Sequence, residues 1–136
     1  CEEEHFYVPM FANISALIWE NYSDINWAGF YFIRDGRLLL GPFQGKTACI
    51  SIDIGKGVCG TAALTDAVQR VDDVHSFKGH IACDSASNSE IVLPIHCEGK
   101  VCAVLDMDSP VFSRFTEEDE DTLKKAVEIM EKYIEF

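Results

Sequence analysis

The chain of 136 residues is 48% hydrophobic and 25% charged, the proportions of one globular domain with its own core. A formal net charge of −12 repels phosphate backbones and anionic headgroups, so neither nucleic acid nor a membrane surface is expected as a partner. No apolar run approaches the ~20 residues that span a bilayer, and the acidic opening CEEEHFYVP is no signal peptide, so a cytoplasmic protein is expected.

The first periodic segment is VPMFANISALIWENY, residues 8–22, with apolar side chains at 10, 11, 14, 17 and 18. That spacing predicts an amphipathic helix. NWAGFYFIRDGRLLLGPF follows, with two aromatic and aliphatic runs around Asp35-Gly36, which predicts a hairpin of strands 26–34 and 37–43. Trp27, Gly29, Tyr31 and Ile33 share one face of the first strand; Ala28, Phe30 and Phe32 share the other. Both faces are apolar, so both are expected to be covered. A short strand over 48–54 leads into glycines at 55, 57 and 60, a tight turn feeding a short helix that carries Cys59. VQRVDDVHSFKGH reads as loop with a short extended piece. EIVLPIHC and KVCAVLDMD flank EGK as a second hairpin, with Pro94 marking an edge position or a bulge. The last segment opens on Thr116 with Asp119 three residues on, a weak capping box, and carries apolar residues at 123, 126, 127, 130, 133 and 134. Helices and antiparallel hairpins in this order predict an α+β fold. Helices would cover one face of a mostly antiparallel sheet. Loops 44–60 and 72–90 would cover the other, leaving a pocket between sheet and loops.

The cysteines are Cys1, Cys49, Cys59, Cys83, Cys97 and Cys102. With no secretory signal and no C-x-x-C pair, neither a disulfide framework nor a metal site is expected. Cys97 and Cys102, inside apolar strands, read as small buried hydrophobes. Cys59 in GVCGTAAL reads equally as buried or reactive. Cys83 differs: it sits in GHIACDSASNSE, a polar loop whose backbone N–H groups can stabilise an anion, so it reads as an accessible thiol.

The strand VLDMDS places Asp106 and Asp108 on one face, with Val104 and Cys102, while Val101, Ala103, Leu105 and Met107 take the core face. A tight EGK turn pairs 97 with 100 and brings Glu90 near 106–108. Three crowded carboxyls cannot all ionise, so one retains a proton and becomes a general acid; the same cluster suits an ammonium group. The plainer alternative is a wet strand end, with Asp108 capping the turn before Pro110. Trp27 and Tyr31 are ordinary core aromatics unless their face borders the pocket, in which case they wall a site for a small apolar group and Gly29 leaves space between them. His5, His75, His80 and His96 form no triad and no metal spacing.

SDINWAGFYF, LGPFQGKTACI, GKGVCGTA, VDDVHSFKGHIACDSASNSEIVLPI and AVLDMDS together closely resemble the free methionine-(R)-sulfoxide reductases, a family of single GAF domains. The resemblance implies a single GAF domain over 1–136, trimmed at its start, since the chain opens on Cys1 and family members carry a further N-terminal segment. It implies that Cys83 attacks the sulfoxide sulfur of free L-methionine-(R)-sulfoxide, that Cys49 resolves the oxidised Cys83 as a disulfide, and that Cys59 assists. Glu90, Asp106 and Asp108 then donate the proton and anchor the substrate, and Trp27 and Tyr31 hold its methyl end. No cofactor is implied. Thioredoxin is the implied reductant, and a homodimer is left open. The competing readings are a non-catalytic GAF sensor for a small metabolite and a thiol redox switch.

Overall fold

The computed structural model describes residues 7–79 and 86–133. Its elements are α1 (Val8–Asn21), β1 (Trp27–Arg34), β2 (Arg37–Gly45), β3 (Ser51–Asp53), α2 (Gly57–Thr65), β4 (Gln69–Val71), β5 (Ser89–Cys97), β6 (Lys100–Ser109) and α3 (Glu117–Tyr133), with one 3₁₀ turn at Val74–Ser76. The six strands form one antiparallel sheet in the order β3-β2-β1-β6-β5-β4.

Two tight turns set the register. Asp35 and Gly36 take φ of 53° and 74°, and Glu98 and Gly99 take 52° and 78°. Both pairs are left-handed, the backbone that matches the twist of a two-residue hairpin. The second turn pairs Cys97 with Lys100, as the sequence predicts, and beyond a one-residue shift after His96 the strands set Glu90 opposite Asp108.

Strand alternation then divides the core. Ala28, Phe30 and Phe32 of β1, with Ala103, Leu105 and Met107 of β6, pack against Phe11 and Ile18 of α1 and Leu123, Val127 and Met130 of α3. Phe11 is fully buried and meets Phe30 and Phe32 edge-on at 4.6 and 4.9 Å. Truncating such a phenylalanine to alanine costs about 3–5 kcal/mol. On the opposite face Trp27, Tyr31, Val92 and Val104 pack against Val58, Cys59 and Ala62 of α2. One helix therefore joins the loops on the pocket face, while α1 and α3 share the other.

Each helix starts for a local reason. Pro9 lies in the first turn of α1, where its missing N–H costs nothing. Met10 and Leu17, expected on its apolar face, point outward, and Ser15 takes a buried position by donating to the Phe11 carbonyl at 2.9 Å. The α3 capping box forms: Asp119 N–H donates to Thr116 Oγ1 at 3.1 Å, and Thr116 N–H donates to Asp119 Oδ2 at 2.9 Å. Four acidic residues in that first turn oppose the helix dipole favourably. Tyr133, expected in the stripe of α3, is exposed.

A bulge corrects one expectation. Ile95 faces Ala103 but His96 faces Val101, so Cys102 is the unpaired extra residue of β6. The slip turns Cys102 away from the face of Asp106 and Asp108 and onto the α1–α3 core. There it is disulfide-bonded to Cys97, so neither residue is the free buried thiol expected from the sequence. The strands are close enough across the turn, with the two Cα atoms 5.8 Å apart, for a bond that composition alone does not suggest. Pro94 lies just past the reach of β4, whose three residues pair only with Glu90, Ile91 and Val92; β5 thus behaves as an edge at this point.

Candidate active site

The pocket opens between the α2 face of the sheet and the loop after β2. Trp27, Tyr31, Thr47, Ala48, Ile52, Lys56, Gly57, Val58, Cys59, Ser87, Glu90, Asp106 and Asp108 line it, and it holds about 40 Å³. Gly60 lets α2 sit this close. A Cβ there would stand 2.5 Å from the Asp53 carbonyl, so only glycine fits.

Glu90 and Asp106 are almost fully buried, and Cys59 lies 4% exposed beside them. One ligand atom from each of the three falls within 4.8 Å of the other two. Burial first, then the charges of Asp106 and Asp108, hold the Glu90 carboxyl well above the usual carboxylate range. Burial also raises Asp106, against hydrogen bonds from Glu90 and Cys59 that favour its charged form. The pair thus favours a proton retained on Glu90, hydrogen-bonded to Asp106. Burial and the same acids push the Cys59 thiol up, and its hydrogen bond to Asp106 holds it protonated. Asp106 Oδ1 has no hydrogen-bond partner among the described residues. An orphaned carboxylate oxygen at the wall of a cavity is a place for a donor from outside the protein.

The aromatic wall is built by β1 and β2. Trp27 and Tyr31 stack at 5.9 Å between ring centroids, and Phe43 lies nearly parallel on Trp27 at 5.2 Å. The space expected beside Gly29 is filled, because a Cβ there would stand 2.3 Å from Phe43 Cβ. Gly29 thus serves the close approach of β2 and not the pocket. Both polar tips of the wall are tied to the loop: Trp27 Nε1 donates to the Lys46 carbonyl at 3.1 Å and Tyr31 Oη to the Cys49 carbonyl at 3.0 Å. Burial, with the neighbouring acids, pushes the Tyr31 phenol above its ordinary range, so it remains a donor.

Of the residues singled out in the sequence, Trp27, Tyr31, Cys59, Glu90, Asp106 and Asp108 all line this pocket. Cys49 packs against the same core and is disulfide-bonded. Cys83 lies outside the described residues. The sequence reading did not single out Lys56 and Ser87. Lys56 precedes the first turn of α2, a position that the GKG text marks only as a turn. Ser87 accepts a hydrogen bond from Asn26 Nδ2 at 3.2 Å, a contact across 61 residues that no local pattern announces. His96, given no role, lies between Asp66 and Glu131 and is not among the residues that line this pocket.

Residues 11–135 match the GAF domain model. Across 131 residues the chain is 56% identical to the free methionine-R-sulfoxide reductase of Escherichia coli, covering 96% of this chain and 79% of that protein. Among solved structures, the fRMsr of Staphylococcus aureus in its reduced form superposes with a TM-score of 0.92 at 51% identity, covering 96% of this chain and 85% of the other. The free methionine-R-sulfoxide reductase of Neisseria meningitidis, solved in complex with its substrate, superposes with a TM-score of 0.91 at 39% identity, over 96% of this chain and 78% of that one. The buried acids, the aromatic wall and Cys59 therefore sit in a fold and a sequence context shared along nearly the whole chain. The chain belongs to the free methionine-(R)-sulfoxide reductase family of GAF-domain proteins.

Proposed function

We propose that this protein reduces free L-methionine-(R)-sulfoxide to methionine, with Cys83 as nucleophile and the buried acids as proton source. The observation that carries the reading is the pairing, in one pocket, of a proton-holding Glu90 with an aromatic wall of Trp27 and Tyr31. The Cys83 thiolate bonds to the sulfoxide sulfur and Glu90 protonates the sulfoxide oxygen; that hydroxyl then passes to the Cys83 sulfur as the S–O bond and the new sulfur–sulfur bond break. Methionine leaves and Cys83 becomes a sulfenic acid. Cys49 attacks that sulfur, water departs and a Cys49–Cys83 disulfide forms. A dithiol reductant of the thioredoxin type returns both thiols by exchange. Cys59 assists from the pocket wall.

The same pocket favours a free amino acid over a peptide. The α-ammonium pairs with Asp106 and Asp108. The α-carboxylate suits the N-terminus of α2, where the N–H groups of Gly57, Val58 and Cys59 precede the first helical acceptor. A peptide-bound residue offers neither charge, and losing a buried charged partner costs about 2–5 kcal/mol. Apolar residues left exposed on α1 and α3, among them Leu17, Trp19 and Ile129, support a homodimer. A cytoplasmic setting suits thiols that must be re-reduced.

The test supplies each epimer of free methionine sulfoxide, and a peptide containing methionine sulfoxide, together with dithiothreitol. Methionine released from the free R epimer alone is the expected result. Release from neither free epimer overturns the reading in favour of a sensor or a switch.

A further inference from the structure

We propose that Cys59, Glu90 and Asp106 form a binding site for a thiophilic divalent cation of the zinc class. The three side chains come from three separate elements, α2, β5 and β6, and each is almost fully buried. Their ligand atoms already lie within 4.8 Å of one another. Tetrahedral zinc holds sulfur at about 2.3 Å and oxygen at about 2.0–2.2 Å, so its ligand atoms stand about 3–4 Å apart. Small side-chain rotations close that difference. Glu90 and Asp106 stand on adjacent paired strands, β5 and β6, which hold their backbones in fixed register.

A second observation points to a ligand from outside the protein. Asp106 Oδ1 is buried, borders the cavity and has no hydrogen-bond partner among the described residues. A carboxylate oxygen left in this state is satisfied by a donor or a cation, and a cation meets the charge as well. The cavity of about 40 Å³ has room for the ion and a water in the fourth position. Calcium and magnesium fit poorly, since they demand six or more oxygen ligands and reject sulfur. One thiolate and two carboxylates instead match a borderline-soft ion.

Binding requires the thiolate and an ionised Glu90, so the Cys59 S–H proton and the Glu90 carboxyl proton both pass to bulk water as the sulfur–metal and oxygen–metal bonds form. No electron is transferred. The ion would occupy the space between the acids and α2. The inference does not depend on any turnover, and its test uses none.

The experiment titrates zinc chloride into the full chain with its disulfides intact and no reductant present, which leaves Cys59 as the free thiol among the described residues. Isothermal calorimetry is run in two buffers of different ionisation heat. The expected result is one equivalent bound, with a heat that changes with the buffer as protons are released. Cys59→Ser and Asp106→Asn each weaken binding about tenfold or more, and magnesium gives no heat. Circular dichroism melts establish that each variant is folded; should Cys59→Ser not fold, Asp106→Asn and Glu90→Gln decide the question. Absence of a one-to-one site, or variants that bind zinc within about twofold of the parent, overturns the proposal.

Discussion

The Tyr31 hydroxyl donates to the Cys49 carbonyl at 3.0 Å, so the residue that walls the pocket also fixes the backbone of the candidate resolving cysteine. The bond crosses 18 residues and ties the centre of the sheet to the loop between β2 and β3. Tyr31→Phe keeps the ring, and with it the stacking on Trp27, and removes only this tie. It is expected to lower stability by about 1 kcal/mol, the net worth of one hydrogen bond. The kinetic effect is expected at the second step: sulfenic acid on Cys83 persists longer because Cys49 is less well placed. Trapping with a sulfenic-acid reagent after a single turnover, followed by mass spectrometry, checks this. Unchanged trapping alongside slower methionine release would place the role of Tyr31 in substrate binding alone.

Glu90 and Asp106 make a different trade. Glu90 is crowded by two other carboxyls and held in its protonated form by burial. Glu90→Gln keeps the shape, removes the transferable proton and relieves the crowding. Methionine formation is expected to fall by about 10²–10⁴-fold, while resistance to urea stays level or improves. Asp106→Asn is expected to lose both, since it removes the charge that the Cys59 thiol and Glu90 donate to and sets amide N–H donors against those buried donors. Parallel rate measurements and urea melts separate the two variants.

The elements and this acid nest were legible because two short-range signals, Asp35-Gly36 and Glu98-Gly99, place the two hairpins and the pairing next to each turn. Once Cys97 faces Lys100, Glu90 must fall within one residue of Asp108, and the bulge at Cys102 sets the final pairing. What the sequence could not carry depends on interruptions of that regularity. The bulge at Cys102 reverses its face, and no residue type marks it. Phe43 fills the space beside Gly29 because β2 also slips between Gly29 and Tyr31. His96 shows a third limit. Its partners Asp66 and Glu131 come from α2 and α3, 30 and 35 residues away in opposite directions, so its role exists only in three dimensions.

The Cys97–Cys102 disulfide spans the turn of the β5–β6 hairpin, at the end of the strands remote from Glu90 and Asp108. It lies on the α1–α3 side of the sheet, so it does not border the pocket. Cys102→Ser is expected to leave turnover with dithiothreitol intact. Under oxidising conditions it should cost about 2 kcal/mol of stability, the chain-entropy value for so short a loop. With reductant present the variant and the parent should melt alike. A collapse of turnover comparable to that of Cys83→Ser would instead make this pair part of the catalytic cycle.

His96 bridges the C-terminal end of α2 and helix α3. Its Nδ1 meets Glu131 Oε1 of α3 at 2.9 Å, and its Nε2 meets Asp66 Oδ1, at the C-cap of α2, at 2.5 Å. Glu120, Lys124 and Glu128 of α3 line the same groove, so the surroundings are mainly acidic. Partial burial opposes its charged form, but the hydrogen bonds to Glu131 and Asp66 outweigh this and raise its pKa. The folded protein therefore binds this proton more tightly than the unfolded chain. The sign follows: the bridge contributes fully below the unfolded value of about 6.5 and is lost as pH rises through the raised folded value. Urea midpoints of the parent should decline across that interval, and those of His96→Gln should decline less, because a neutral amide keeps hydrogen bonds but carries no titrating charge. Equal slopes for the two proteins would show that His96 stays neutral between its acids, and that the bridge contributes hydrogen bonds alone.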